Sequence, residues 1–237
     1  MTNQAPKKIA FVLYPGLTPL DIIGPLQVMS TLSMFSPQWE TVVVGERIES
    51  MTTDAGISMT PQATFEDLPN PDIILVPGGI APTFRQMGNP VLRNYLLSVA
   101  EKAEVVGSIC TGSLILAAAG LLDGRRATTH WGCQRFLERL GVTYLPERWV
   151  EDGKFITSAG VSAGIDMALE LVCRLTDEAT SRFVQLGIEY DPHPPFGGIQ
   201  WDTVDRDMFL PQFSQRMEEA LADSPQLLER VLSRETV

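Results

Sequence analysis

Residues 105–122 read VVGSICTGSLILAAAGLL. Val105 to Ile109 is a short apolar run of the kind that suits a strand buried on both faces of a parallel sheet. From Gly112 the sequence resumes as Ala/Leu-rich and helix-forming. Cys110 stands at the joint between them. In an open parallel sheet, ligands bind outside the carboxyl ends of the strands, near a topological switch point. Gly107 and Ser108 before the cysteine, and Thr111-Gly112-Ser113 after it, permit the tight strand-to-helix turn that lifts a nucleophile clear of a sheet.

Outward from that joint the same grammar recurs. Lys8 to Tyr14 is nearly all apolar and closes on Pro15-Gly16, while Glu40 to Val44 and Asp72 to Val76 read as further strands. A helical pattern runs from Asp21 to Met34, and Gly24-Pro25 suggests that the helix begins at Pro25, which leaves Asp21 in the preceding loop. A second helix spans Pro90 to Lys102. After Gly120 the sequence predicts a strand at Arg126 to Thr128 and a helix from Trp131 to Leu140. A hairpin follows, Trp149 to Glu151 with Phe155 to Thr157 around Asp152-Gly153, and then helices from Gly164 to Leu175 and Glu178 to Leu186. Strands alternating with helices imply an α/β fold with a mostly parallel central sheet covered on both faces. Residues 1–196 are expected to form that domain. Residues 197–237, with a helix-like segment from Phe213 to Ser233, are expected to be an extension packed on the domain or on a partner subunit.

Composition narrows the function. The 237 residues are 44% hydrophobic, enough for a substantial core, and the formal net charge is −11. Nucleic acid and anionic membrane surfaces both need a basic footprint, so neither is an expected partner. Cys110, Cys133 and Cys173 are odd in number and lack metal-type spacing, which suggests neither a disulfide framework nor a bound metal and fits a reducing cytoplasm. The apolar run after Lys7 and Lys8 is too short for a signal-peptide core, and no later run is long enough to span a bilayer. A soluble, cytoplasmic protein is expected.

Several groups converge on the joint if the fold is right. A sulfur over the amino end of the 112–119 helix would have its pKa lowered by the free N–H groups and become a reactive thiolate; as a bland alternative, a lone cysteine is core filler. Cys133 and Cys173, inside helical patterns, read as packing residues. Gly78 and Gly79 end another strand, where bare backbone N–H groups, together with the Thr111 amide, could serve as an oxyanion hole, or could be a plain turn. Asp21 would bring a carboxylate to the same edge, where burial could raise its pKa for proton transfer; its alternative is a helix cap. His130, in ATTHWG, is a possible base or a structural residue.

The elbow SICTGSLILAAAGLLDGRRATTHW, with FVLYPGLTPLDIIGPL, ILVPGG and IEYDPHPPF, resembles the DJ-1/PfpI superfamily from about Lys8 to Phe196. The resemblance implies a flavodoxin-like three-layer sandwich, usually a homodimer, and within the superfamily it points to the members that hydrate isocyanides to N-substituted formamides without metal or organic cofactor. It carries the nucleophile onto Cys110, its neighbour onto Thr111, the acidic residue onto Asp21 and the glycine turn onto Gly78 and Gly79. Protease-like members place histidine directly after the cysteine; Thr111 stands there here, which weakens a peptidase or glyoxalase reading. The elbow also resembles the ligand domain of AraC-type regulators, but the residues after Phe196 are too few and too acidic for a helix-turn-helix module. A binding protein or a thiol redox sensor is the alternative function.

Overall fold

The computed structural model describes residues 5–232. Along the chain lie β1 (Lys7–Val12), α1 (Pro19–Phe35), β2 (Trp39–Gly45), the short hairpin β3 (Met51–Thr52) and β4 (Ser58–Met59), β5 (Ala63–Thr64) and β6 (Ile73–Val76). Next come α2 (Ala81–Met87), α3 (Pro90–Lys102), β7 (Val105–Ile109), α4 (Gly112–Ala118), β8 (Arg126–Ala127), α5 (Gln134–Arg139) and β9 (Thr143–Tyr144). The chain continues through β10 (Trp149–Asp152), β11 (Phe155–Ser158), α6 (Ala163–Leu175), α7 (Glu178–Gly187), α8 (Leu210–Ala220) and α9 (Pro225–Leu232).

Seven strands form the central sheet in the order β10-β11-β7-β6-β1-β2-β5. All neighbours run parallel except β10, which turns back on β11 through Gly153 at φ 64°. β6 and β7 are buried along their length and β1 from Ile9 onward, because helices cover both faces: α1, α6 and α7 on one, α2, α3, α4 and α5 on the other. That is why they read as continuous apolar runs rather than as alternation. The chain leaves β1 toward β2 and β5, then returns to β6 on β1's other side and proceeds to β7 and β11. The reversal lies between β1 and β6, so the carboxyl ends of β1, β6 and β7 meet at the switch point.

Two expected helix boundaries are corrected. α1 begins at Pro19, not Pro25, so Asp21 lies in its first turn rather than in a loop. Both prolines follow candidate start signals, and the exposed positions of α1 are themselves largely apolar (Leu20, Ile23, Met34 and Phe35), so no amphipathic stripe distinguishes them. Pro25 is accommodated inside the helix, where Gly164 of α6 lets the two helices touch: a side chain there would stand 3.0 Å from the Pro25 ring. The segment from Phe213 onward is two helices, broken before Pro225, whose ring cannot donate the next helical hydrogen bond; Ser233 lies outside the described residues. Arg126–Ala127 pairs with Thr143–Tyr144 in a separate two-stranded sheet.

α8 packs on α2 and α9 on α5. Arg135 holds Asp207 through two hydrogen bonds of 3.2 and 3.1 Å, and Arg139 donates to the carbonyl of Val231. Among the described residues no helix is long and apolar enough to cross a membrane.

Gly107 shows how tightly the sheet is covered. A Cβ there would come within 2.4 Å of Leu75 Cδ2 and 3.1 Å of Ile156 Cγ2, side chains of the two flanking strands. Gly107→Val should therefore lower stability by about 1–3 kcal/mol through overpacking, measured by urea denaturation; an unchanged midpoint would contradict this packing.

Candidate active site

Cys110 follows β7 directly and has φ 57°, a left-handed conformation rare for a residue with a side chain. Several bonds hold it. Its N–H donates to the Ser158 carbonyl at 3.1 Å, and its own carbonyl accepts from the Ser113 and Thr129 hydroxyls, each at 3.2 Å. Such strain costs of order 1–3 kcal/mol and persists only where the surroundings over-determine it.

The turn after β6 presses against the same joint. A Cβ on Gly78 would lie 2.5 Å from the Thr111 nitrogen, and one on Gly112 would lie 2.1 Å from the Val76 carbonyl oxygen. Neither position has room for a side chain. The Thr111 hydroxyl locks the contact by donating to the Gly79 carbonyl and accepting from the Gly79 N–H at 2.9 Å.

The two glycines, expected as oxyanion donors, are both engaged. The Gly78 N–H donates to Asp21 Oδ2 at 3.0 Å and the Gly79 N–H to Thr111. Their amides thus fix the carboxylate and the threonine instead of facing an incoming anion. The backbone donor that reaches the Cys110 sulfur is the Thr111 N–H.

Asp21 is fully buried behind the thiol. Its Oδ1 has no partner of regular hydrogen-bond geometry, while the carboxyl as a whole interacts with the Cys110 side chain. Burial raises its pKa to about 7, partly offset by the Gly78 N–H and Cys110. It is not a helix cap: Thr18 occupies that place, and the Thr18 N–H donates to the Gly78 carbonyl at 3.0 Å, tying the start of α1 to the turn after β6.

The expected low thiol pKa is corrected by the same surroundings. Burial and the Asp21 charge push the Cys110 thiol well above its ordinary value, and the Thr111 N–H only partly opposes them. The turn does supply a donor, but Cys110 is only 4% exposed and its thiol lies beside the Asp21 carboxylate. Cys110 and Asp21 therefore titrate as a pair. Between the two ionisations they hold a single proton.

In front of the sulfur is a cavity of about 100 Å³. Its wall is mostly apolar: Ile80, Phe84, Cys133, Val161 and Phe213, with His130 at the edge. Burial lowers the His130 pKa, and its Nδ1 accepts the Gly132 N–H at 3.2 Å, so the neutral ring carries its hydrogen on Nε2. It faces the cavity without a hydrogen bond to Cys110 among the described residues. Cys133, read from sequence as packing, is buried and lines this cavity too.

Residues not anticipated from sequence complete the frame. The buried Tyr14 hydroxyl donates to the Pro77 carbonyl at 2.8 Å and lies 2.9 Å from the Thr83 hydroxyl, bracing the turn from behind. A phenol closing an apolar run that has no other hydroxyl, just before Pro15-Gly16, was the available signal. Phe213 reaches the cavity from α8, a distance along the chain that no local pattern discloses.

The sequence matches the DJ-1/PfpI family over residues 7–174. It is 41% identical to the isonitrile hydratase of Pseudomonas putida across 83% of this chain and 84% of that protein. It is 33% identical to the HTH-type transcriptional regulator CdhR of Pseudomonas aeruginosa across 69% of this chain and 49% of the regulator, about half of whose length it spans. The crystal structure of a THiJ/PfpI family protein from Pseudomonas syringae is similar at a TM-score of 0.83 and 32% identity, covering 91% of this chain and 90% of that one. With its parallel sheet, its switch point between β1 and β6 and its sequence match across most of the domain, the chain belongs to the DJ-1/PfpI family.

Proposed function

We propose that the chain hydrates isocyanides, converting R–N≡C and water into the formamide R–NH–CHO. The observation that carries this reading is the Cys110–Asp21 pair: a thiol and a carboxyl of pKa about 7, buried together beside a small apolar cavity. The hydratase similarity supports the same substrate class.

The pair supplies what the reaction needs. An isocyanide carbon accepts a nucleophile only if the negative charge of the adduct is quenched by a proton. The Cys110 proton passes to Asp21, the sulfur bonds to the terminal carbon, and Asp21 returns the proton to that carbon, giving the thioimidate R–N=CH–S–Cys. This carbon is one bond from the sulfur that Asp21 addresses, so the carboxyl need not line the cavity. Water then adds across C=N, its oxygen to carbon and a hydrogen to nitrogen. The C–S bond breaks as the hydroxyl proton returns through Asp21 to sulfur, releasing formamide and thiol. Thr111 holds the turn and offers its N–H to the sulfur, while Gly78 orients the carboxylate.

A ligand-sensing role is the second reading, favoured by the similarity to CdhR. The two separate cleanly: a sensor binds its ligand without consuming it, and Cys110→Ala would leave its response intact.

Formamide production from an alkyl isocyanide should fall at least about 10³-fold in Cys110→Ala and about 10²–10⁴-fold in Asp21→Asn, followed by chromatography of the product. Activity surviving in Cys110→Ala would refute nucleophilic catalysis. Because the competent state holds one proton between the two groups, kcat/KM should rise with pH through about 7 as Asp21 loses its own proton. A profile flat from pH 5 to 9 contradicts the pair.

The same shift makes a stability prediction of fixed sign. Asp21 binds its proton more tightly folded than unfolded, so its favourable contribution is complete below about pH 4 and is lost as pH rises toward 7. Relative to the parent protein, Asp21→Asn should gain stability across that window at up to about 1.4 kcal/mol per pH unit. Urea denaturation at several pH values measures it, and a difference independent of pH would show that the carboxyl is not strained by burial.

A further inference from the structure

Beyond the cavity over Cys110 lies a second space. His130 and Val161 line both the inner cavity and an outer groove of about 340 Å³, so the two spaces adjoin at these residues. The Cδ2 edge of the His130 ring sits against Gly160, where a Cβ would come within 2.4 Å of it, so only glycine leaves room for the ring in this position.

One side of the whole path is built by the residues after Phe196. Phe213 closes the inner cavity, while Ile199, Trp201 and Arg206 form part of the groove wall. A chain of rings joins these parts: Phe213 stacks on Phe209 at 5.6 Å, Phe209 leans on Trp131 at 5.4 Å, and Trp131 meets Trp201 edge-on at 6.4 Å. Arg206 lies over the Trp201 ring and donates to the Tyr144 hydroxyl at 3.0 Å. Trp201 and Ile199 nevertheless stay 42% and 65% exposed, an apolar surface beside the entrance that the fold itself does not bury.

We propose that this segment is the recognition element for the R group, and that the preferred substrates are elongated isocyanides with an aromatic or extended apolar R. The inference rests on the hydratase reading. The inner cavity is about three times the ~30 Å³ share of a liquid water, room for the isocyano group and its first carbons. The remainder of a larger R group passes between His130 and Val161 and lies against Trp131 and Trp201. A compact, tertiary R group, branched at the first carbon, puts its full width inside the small inner cavity, reaches none of the groove's rings and is disfavoured.

The test compares kcat/KM for benzyl, ethyl and tert-butyl isocyanide in the full chain, in Trp201→Ala and in Val161→Phe. The parent should prefer benzyl over tert-butyl isocyanide. The benzyl-to-ethyl ratio should fall about tenfold in Trp201→Ala, through lost ring contact, and further in Val161→Phe, whose larger side chain fills the junction of the two spaces from the domain side. Unchanged ratios in both variants, or a parent that prefers tert-butyl isocyanide, would overturn the assignment. If the parent turns over no isocyanide, the hydratase reading fails by itself. The groove is then judged by calorimetric titration with N-benzylformamide: binding weakened severalfold by Trp201→Ala upholds it, and binding indifferent to that change removes it.

Discussion

The structure turns on the contact between two turns. The backbone after β6 and the backbone after β7 lie so close that Gly78 and Gly112 can carry no side chain, and the Thr111 hydroxyl bonds both backbone groups of Gly79. That contact confines Cys110 to its left-handed conformation and sets the sulfur above the sheet edge. It also aims the Gly78 N–H at Asp21, so one constraint positions both the thiol and the carboxyl. The strain in Cys110 is sustained by the buried sheet beneath it, whose inner strands are closed on both faces.

The same burial governs the chemistry. A thiolate exposed at a helix end would be reactive at all times, and also open to oxidation. Here burial and a neighbouring carboxylate hold the thiol protonated, and in the proposed reaction it becomes a nucleophile by passing one proton to Asp21. In the proposed reaction that proton is needed again on the substrate carbon. A buried pair that keeps it local suits a hydration better than a permanently ionised sulfur would.

Much of this was legible in the residues, for physical reasons. Lys8 to Tyr14, Asp72 to Val76 and Val105 to Ile109 declared themselves as buried parallel strands because both of their faces are covered, and the mostly parallel, helix-flanked sheet followed from their alternation with helices. The two-residue strands β3, β4 and β5 carry too few residues for any period to show. The start of α1 departs from the reading because Pro19 and Pro25 are equivalent signals and the exposed side of the helix, with Leu20, Ile23, Met34 and Phe35, is as apolar as its buried side. Within the candidate site, Cys110, Asp21, Gly78, Gly79 and Thr111 are brought together at one sheet edge. What could not be read were the quantities that depend on surroundings: the direction of the thiol's pKa shift, the engagement of both glycine amides, and the arrival of Phe213 from α8.

The central claim is that the Cys110 sulfur becomes covalently joined to the substrate carbon. Acid quenching during turnover of an alkyl isocyanide, followed by mass spectrometry of the peptide containing Cys110, tests it directly. The account predicts an adduct equal to the whole mass of the isocyanide on Cys110, appearing before formamide and decaying as formamide forms. Formamide production with that peptide unmodified at every quench time would contradict it.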